Sequence, residues 1–134
     1  MKKSYQDNAT RTQRRKTDTA ERTVRPYRAV RGSVGKLAAD TLRITPLGGQ
    51  NGIGEKNMIV VEYGEDAIVL DCGFDLGLDI PGVNYAIPAI DYLLSIKHKV
   101  RGYVISHGHL DHIGALVHVV PQVPAPIYGS QFTI

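Results

Sequence analysis

Cysteine is almost missing from this 134-residue chain and tryptophan is wholly missing; Cys72 is the one thiol. No intramolecular disulfide can form, which fits a reducing compartment, so a cytoplasmic location is the expectation. No apolar run reaches the roughly 18 residues a membrane helix needs. No secretory signal is expected either, because Ser4 to Asn8 follow Met1-Lys2-Lys3 where an unbroken apolar segment would stand. Asp7, Asp18 and Glu21 interrupt the acid-poor pattern of an organelle transit peptide. Large apolar residues are scarce in residues 1–40, and so are acidic ones: eleven Lys or Arg face four Asp or Glu, a balance of +7. From residue 41 onward the count is five against nine, or −4, so a basic arm precedes a mildly acidic body.

Residues 1–40 show no sustained hydrophobic period and cannot bury enough surface to offset their ordering entropy, which predicts a disordered arm. Its cluster Arg14-Arg15-Lys16, with Arg22, Arg25, Arg28 and Arg31 behind it, can neutralise phosphates of a nucleic acid, or can serve only as a solubilising tail. The body, residues 41–134, begins with the alternation of Leu42 to Leu47, a half-buried strand. The glycine loop from Gly48 to Gly54 ends it; no Gly-Lys-Ser/Thr follows, so it is not a Walker A loop, and it reads as tight backbone turns.

Asn57 to Tyr63 and Ala67 to Leu70 read as the strands of a hairpin turning at Gly64-Glu65-Asp66, which delivers Asp71 to a strand end. Ala86 to Ile96 has helical spacing with Pro88 in its first turn, and Lys97-His98-Lys99 close it with positive charge, leaving His98 solvated. Val100 to Ser106 is a further strand, Ile113 to Val120 a helix stopped by Pro121, and Ala125 to Gly129 a last strand. The order predicts an α/β layered body with mixed strand directions.

The densest chemistry is SHGHLDHIG, Ser106 to Gly114, with three histidines and an aspartate within six residues. A strand ending at Ser106 releases His107 and His109 into a loop, where alternate residues can face one metal. Asp111 and His112, at the start of the next helix, can face a second. Two cations about 3.5 to 4 Å apart steady both the attacking and the leaving oxygen of a displacement. Imidazole and carboxylate suit Zn2+, with Mn2+ acceptable at the more oxygen-rich position. His118 lies six residues beyond His112, in poor helical phase for the same site. Asp71 is either a carboxylate that hydrogen-bonds a ligand histidine or a plain polar strand end.

HGHLDH with Asp71 upstream resembles the first two motifs of the metallo-β-lactamase fold, an αββα sandwich of which this chain would hold the N-terminal part. PLGGQNGIGEKNM, LDCG, PGVNYAIPAIDYL and RGYVISHGHLDHIGAL resemble, more narrowly, the ribonuclease J family over residues 42–134. That resemblance implies a cytoplasmic enzyme of RNA processing and decay, rRNA processing included, with 5′→3′ exonuclease and endonuclease activity, acting as a homodimer or homotetramer. His107 and His109 would hold one zinc, Asp111 and His112 the other, and the catalytic carboxylates would be Asp111 and, supporting the histidines from behind, Asp71. A structural Ca2+ would sit at Gly82 and Asn84, although the family usually has Asp where Asn84 stands. Leu110 replaces a common Glu at a position that holds no metal. The family's later histidines, bridging aspartate and β-CASP domain have no counterpart within these 134 residues, so an incomplete enzyme, inactive by itself, is expected. Two other functions use the same residues: a glyoxalase II-like hydrolase of a thioester or lactam, and a non-catalytic RNA-binding fragment.

Overall fold

The computed structural model describes Gly35 and residues 37–134; Arg14, Arg15, Lys16 and most of the expected arm lie outside the described residues. Leu37 is buried and the Thr41 amide donates to the Ala38 carbonyl at 3.1 Å, so the described body takes in residues ahead of Thr41.

Five strands form one mixed sheet in sequence order: β1 (Leu42–Gly48), β2 (Met58–Tyr63), β3 (Asp66–Leu70), β4 (Val100–Val104) and β5 (Ile127–Tyr128). The first three pair antiparallel, whereas β3, β4 and β5 run parallel to one another. The β2–β3 turn is Gly64-Glu65, since Tyr63 pairs with Asp66, and Gly64 takes φ +58 as the first position of so tight a loop requires. The β-branched run of β2 alternates inward and outward, placing Met58, Val60 and Glu62 on the buried face.

That face packs on three short α-helices, α1 (Asp91–Ser95), α2 (Leu110–Ile113) and α3 (Leu116–Val119). Met58, Val60, Val69, Tyr103, Leu93, Ala115, Val119 and Val123 form a continuous core. Glu62 is buried there with the Tyr92 hydroxyl donating to it and the Arg43 guanidinium 3.7 Å away, so its charge is compensated. On the opposite face Leu42, Ile44, Tyr63, Ile68, Val104 and Tyr128 are exposed. Among the described residues no helix is long and apolar enough to cross a membrane.

Two helices differ from the sequence reading, each for a physical reason. The helix expected over residues 86–96 shrinks to Asp91–Ser95, because the Ala86 amide and carbonyl are both spent on Asp75, at 2.9 and 2.8 Å, and Pro88 keeps Ile87 out of helical geometry. The helix expected over residues 113–120 instead starts at Leu110 and breaks between Ile113 and Leu116. The Ala115 amide, which would bond the Asp111 carbonyl in an unbroken helix, donates to the Cys72 carbonyl at 2.9 Å. The Asp111 carbonyl is taken by Asn57.

Candidate metal centre

All the strand ends that matter open at one edge of the sheet. The start of β2 lies beside the end of β3 because the two are antiparallel, and the end of β4 lies there because β3 and β4 are parallel. Asn57, Asp71 and Ser106 thus arrive together, and the loop after Ser106 folds back over them. Four hydrogen bonds strap this loop down, and a fifth, from Gly73 to Asn57, ties the strand ends beneath it. The Asn57 amide reaches the Asp111 carbonyl at 3.0 Å, Cys72 reaches His112 at 2.6 Å and Gly73 reaches Asn57 at 3.0 Å. Phe74 reaches Leu110 and Ala115 reaches Cys72, both at 2.9 Å. Approach is so close that a Cβ at Gly73 would overlap the Asp111 carbonyl.

Asp71 takes φ +57, a left-handed conformation that aspartate tolerates better than most residues. Its Oδ1 accepts the Ser106 amide at 2.8 Å. Its Oδ2 accepts the Ser106 hydroxyl at 2.9 Å and the His112 Nδ1–H at 2.8 Å. Ser106 Oγ lies 3.0 Å from His107 Nδ1, so the hydroxyl can accept that ring's proton while donating its own to Asp71. A carboxylate only accepts, and this fixes the direction of both bonds. With their Nδ1 atoms engaged in this way, His107 and His112 have their Nε2 atoms left to face a metal ion.

The four motif donors fall into two pairs. His107 Nε2 and His109 Nδ1 are 3.1 Å apart, and Asp111 Oδ2 and His112 Nε2 are 3.2 Å apart. Two donors on a tetrahedral zinc, each about 2.0–2.1 Å from the ion, stand about 3.3 Å from each other. Each pair therefore fits two corners of such a shell. The His107 and His112 rings, one from each pair, have centroids 4.1 Å apart, so the pairs are neighbours. Among the described residues no three or more His, Cys, Asp or Glu side chains gather as one ion's full shell. The fit is to two half-shells.

Other residues singled out in the sequence lie elsewhere. His118 Nε2 pairs with the Tyr85 hydroxyl at 3.0 Å, in an aromatic cluster with Phe74. His98 is exposed in the 3-10 turn Lys97–Lys99. Gly82, at φ +81, and Asn84 lie exposed just after Ile80, and among the described residues no three or more His, Cys, Asp or Glu side chains gather there. The Cys72 thiol is fully buried; burial first, and Asp71 second, push it up to about 12, so it packs as an apolar side chain. Sequence reading passed over Ser106 and Asn57 as site residues. The Asn57 amide nitrogen lies 3.2 Å from Asp111 Oδ2 and 3.3 Å from His112 Nε2.

The profile of the metallo-beta-lactamase superfamily matches residues 51–133, which include the hairpin, Asp71 and the whole histidine motif. The chain belongs to the metallo-beta-lactamase superfamily. Its α/β fold is that of this superfamily, and its similar proteins include ribonucleases J. It is 41% identical over 101 residues to Ribonuclease J of Thermus thermophilus, covering 71% of this chain and 18% of that protein. To Ribonuclease J 2 of Staphylococcus saprophyticus it is 44% identical over 94 residues, covering 69% of this chain and 17% of that protein. Ribonuclease J 2 of Staphylococcus aureus is 43% identical over the same length of alignment, 94 residues. This metallo-beta-lactamase superfamily chain thus spans less than a fifth of the length of these relatives.

Proposed function

We propose that this chain carries the first metal-binding elements of a zinc-dependent ribonuclease of the ribonuclease J type, acting in the cytoplasm on RNA as a 5′→3′ exonuclease and endonuclease. The observation that carries the proposal is the pair of donor sets, each at the spacing of two ligands on one cation and both held by Asp71. The relatives named Ribonuclease J support RNA as the substrate. So does the +7 balance of residues 1–40, which has no evident use with a small thioester.

In this reading His107 and His109 hold one zinc and Asp111 and His112 the other. Bound zinc lowers the pKa of water and offsets charge on the phosphate being displaced. The chain's own part is orientation: Asp71 fixes the His112 ring directly and the His107 ring through Ser106. The strapping of the loop to Cys72 and Phe74 keeps the two donor sets adjacent.

The test uses the full-length protein with 5′-monophosphorylated RNA and, in parallel, an acyl-glutathione thioester. RNA turnover is expected, with His109→Ala abolishing it and lowering zinc content while RNA affinity is retained. Turnover of the thioester alone would reassign the protein to the glyoxalase II-like class. RNA binding with neither zinc nor turnover would make it a non-catalytic RNA-binding protein.

A further inference from the structure

Asn57 sits 54 and 55 residues before the two donors it touches, and its amide nitrogen is surrounded by acceptors alone. It donates to the Asp111 carbonyl at 3.1 Å and to Asp111 Oδ2 at 3.2 Å, and faces His112 Nε2 at 3.3 Å. The opposite orientation of the amide would turn its oxygen onto three acceptors, so the network itself fixes which atom is nitrogen. With the His112 Nδ1 side of the ring bonded to Asp71, its Nε2 stands 3.2 Å from the Asp111 carboxylate oxygen. The Asn57 NH2 group, with two hydrogens to donate, lies within 3.3 Å of both atoms and bridges them.

Its other end is equally constrained. A Cβ at Gly49, which takes φ +80, would run into Asn57 Oδ1. The Asn57 main chain is pinned by Asp111 and Gly73. The glycine loop therefore does more than turn the chain: it leaves the room in which this amide stands.

We propose that Asn57 is a positioning residue for the second metal position. Its amide stands in for the cation, holding Asp111 Oδ2 and His112 Nε2 at ligand spacing before metal arrives, and so it sets that position's affinity without ligating. The inference rests on the two-metal reading above and adds to it a residue outside the histidine motif. Loss of the amide leaves the two acceptors to swing apart, and the cost is paid when zinc must draw them together again. Loss of such an outer partner lowers metal affinity about 10–100-fold.

The experiment is stepwise zinc titration of the full-length protein against a chromogenic chelator, with thermal melts with and without zinc, for wild type, Asn57→Ala and Asn57→Asp. Asn57→Ala keeps the main-chain bonds and should weaken one of two zinc-binding steps about 10-fold or more, leaving the other unchanged. Asn57→Asp sets a second carboxylate against Asp111. The metal-free protein should melt lower than wild type, and zinc should raise its melting temperature by more than it raises the wild type's. A merely structural asparagine would not produce that reversal. Two zincs bound by wild type and held equally well by Asn57→Ala would overturn the inference alone, as would equal weakening of both steps. A wild-type protein holding fewer than two zincs would overturn the two-metal reading and the inference with it.

Discussion

Replacing Asp71 with Asn changes one oxygen to NH2 and nothing else in shape, and asparagine tolerates the φ of +57 found there. The Ser106 amide keeps its acceptor on Oδ1. On the other side an NH2 group now meets the Ser106 hydroxyl and the His112 Nδ1–H, which had both donated to Oδ2 at 2.9 and 2.8 Å. The cheapest relief is for His112 to move its proton to Nε2, the atom that faces Asp111. A cation at Nε2 would then require the other tautomer, against the new amide. A hydrogen bond to a charged group contributes about 1.5–3 kcal/mol. At about 1.4 kcal/mol per decade this corresponds to about 10–100-fold in affinity, the range found when a carboxylate behind a ligand histidine is lost. Chelator competition on the full-length Asp71→Asn protein should show that loss, with RNA cleavage falling at saturating RNA. Ser106→Ala should give a smaller loss, because only the His107 arm of the relay is cut. Zinc affinity unchanged in Asp71→Asn would refute the assignment of Asp71 as the residue that sets the tautomers.

Gly73→Ala should destabilise the fold by about 3 kcal/mol or more, since the overlapped atom is the Asp111 backbone and no rotamer relieves it; a denaturant melt measures this. The Asp75 carboxyl is held below its ordinary 3.8 by the Lys56 ammonium at 2.8 Å, against the opposing effect of burial and with help from the Gly77 amide. A lowered native pKa gives stability that is complete above the unfolded value and fades as pH falls through the native one. Lys56→Met should therefore flatten the acid limb of a melting curve measured below about pH 4 while lowering stability near neutrality. Cys72 should resist maleimide at pH 8 in the folded protein and react once denaturant is added, because the thiol is buried and its ionisation pushed up to about 12. The isolated 134-residue chain should self-associate, as light scattering would show, through the exposed face of Leu42, Ile44, Ile68 and Val104; Ile44→Lys should reduce the association.

The strands were legible because each is a short alternating or β-branched run, and the hairpin placed Asp71 at a strand end. The histidine motif was legible as a cluster because its side chains lie within six residues. The helices were less so. Apolar spacing from Ala86 to Ile96 is compatible with one helix, but spacing carries no record of where an amide donates. The Ala86 main chain bridges to Asp75, and the Ala115 amide turns to Cys72. The helix break that periodicity missed is thus the bonding that fastens the motif to the end of β3. Asn57 and Ser106 escaped notice because a polar residue at a strand end is ordinary. Their roles exist only once segments 35 to 55 residues apart converge.

The parallel pairing of β3 with β4 acts as a ruler for the chemistry at its end. Leu70 stands opposite Val104, so Asp71 emerges level with Ile105 and reaches Ser106. Moving β4 by one residue would shift Ser106 about 3.3 Å along the strand and turn its side chain to the other face, leaving Asp71 without the hydroxyl through which it governs His107. One residue that holds β4 in place is Tyr103, fully buried, with its hydroxyl donating to the Val123 carbonyl at 2.8 Å. A tyrosine anchored in the apolar interior thereby supports the strand alignment that lets two imidazoles at the rim meet one carboxylate.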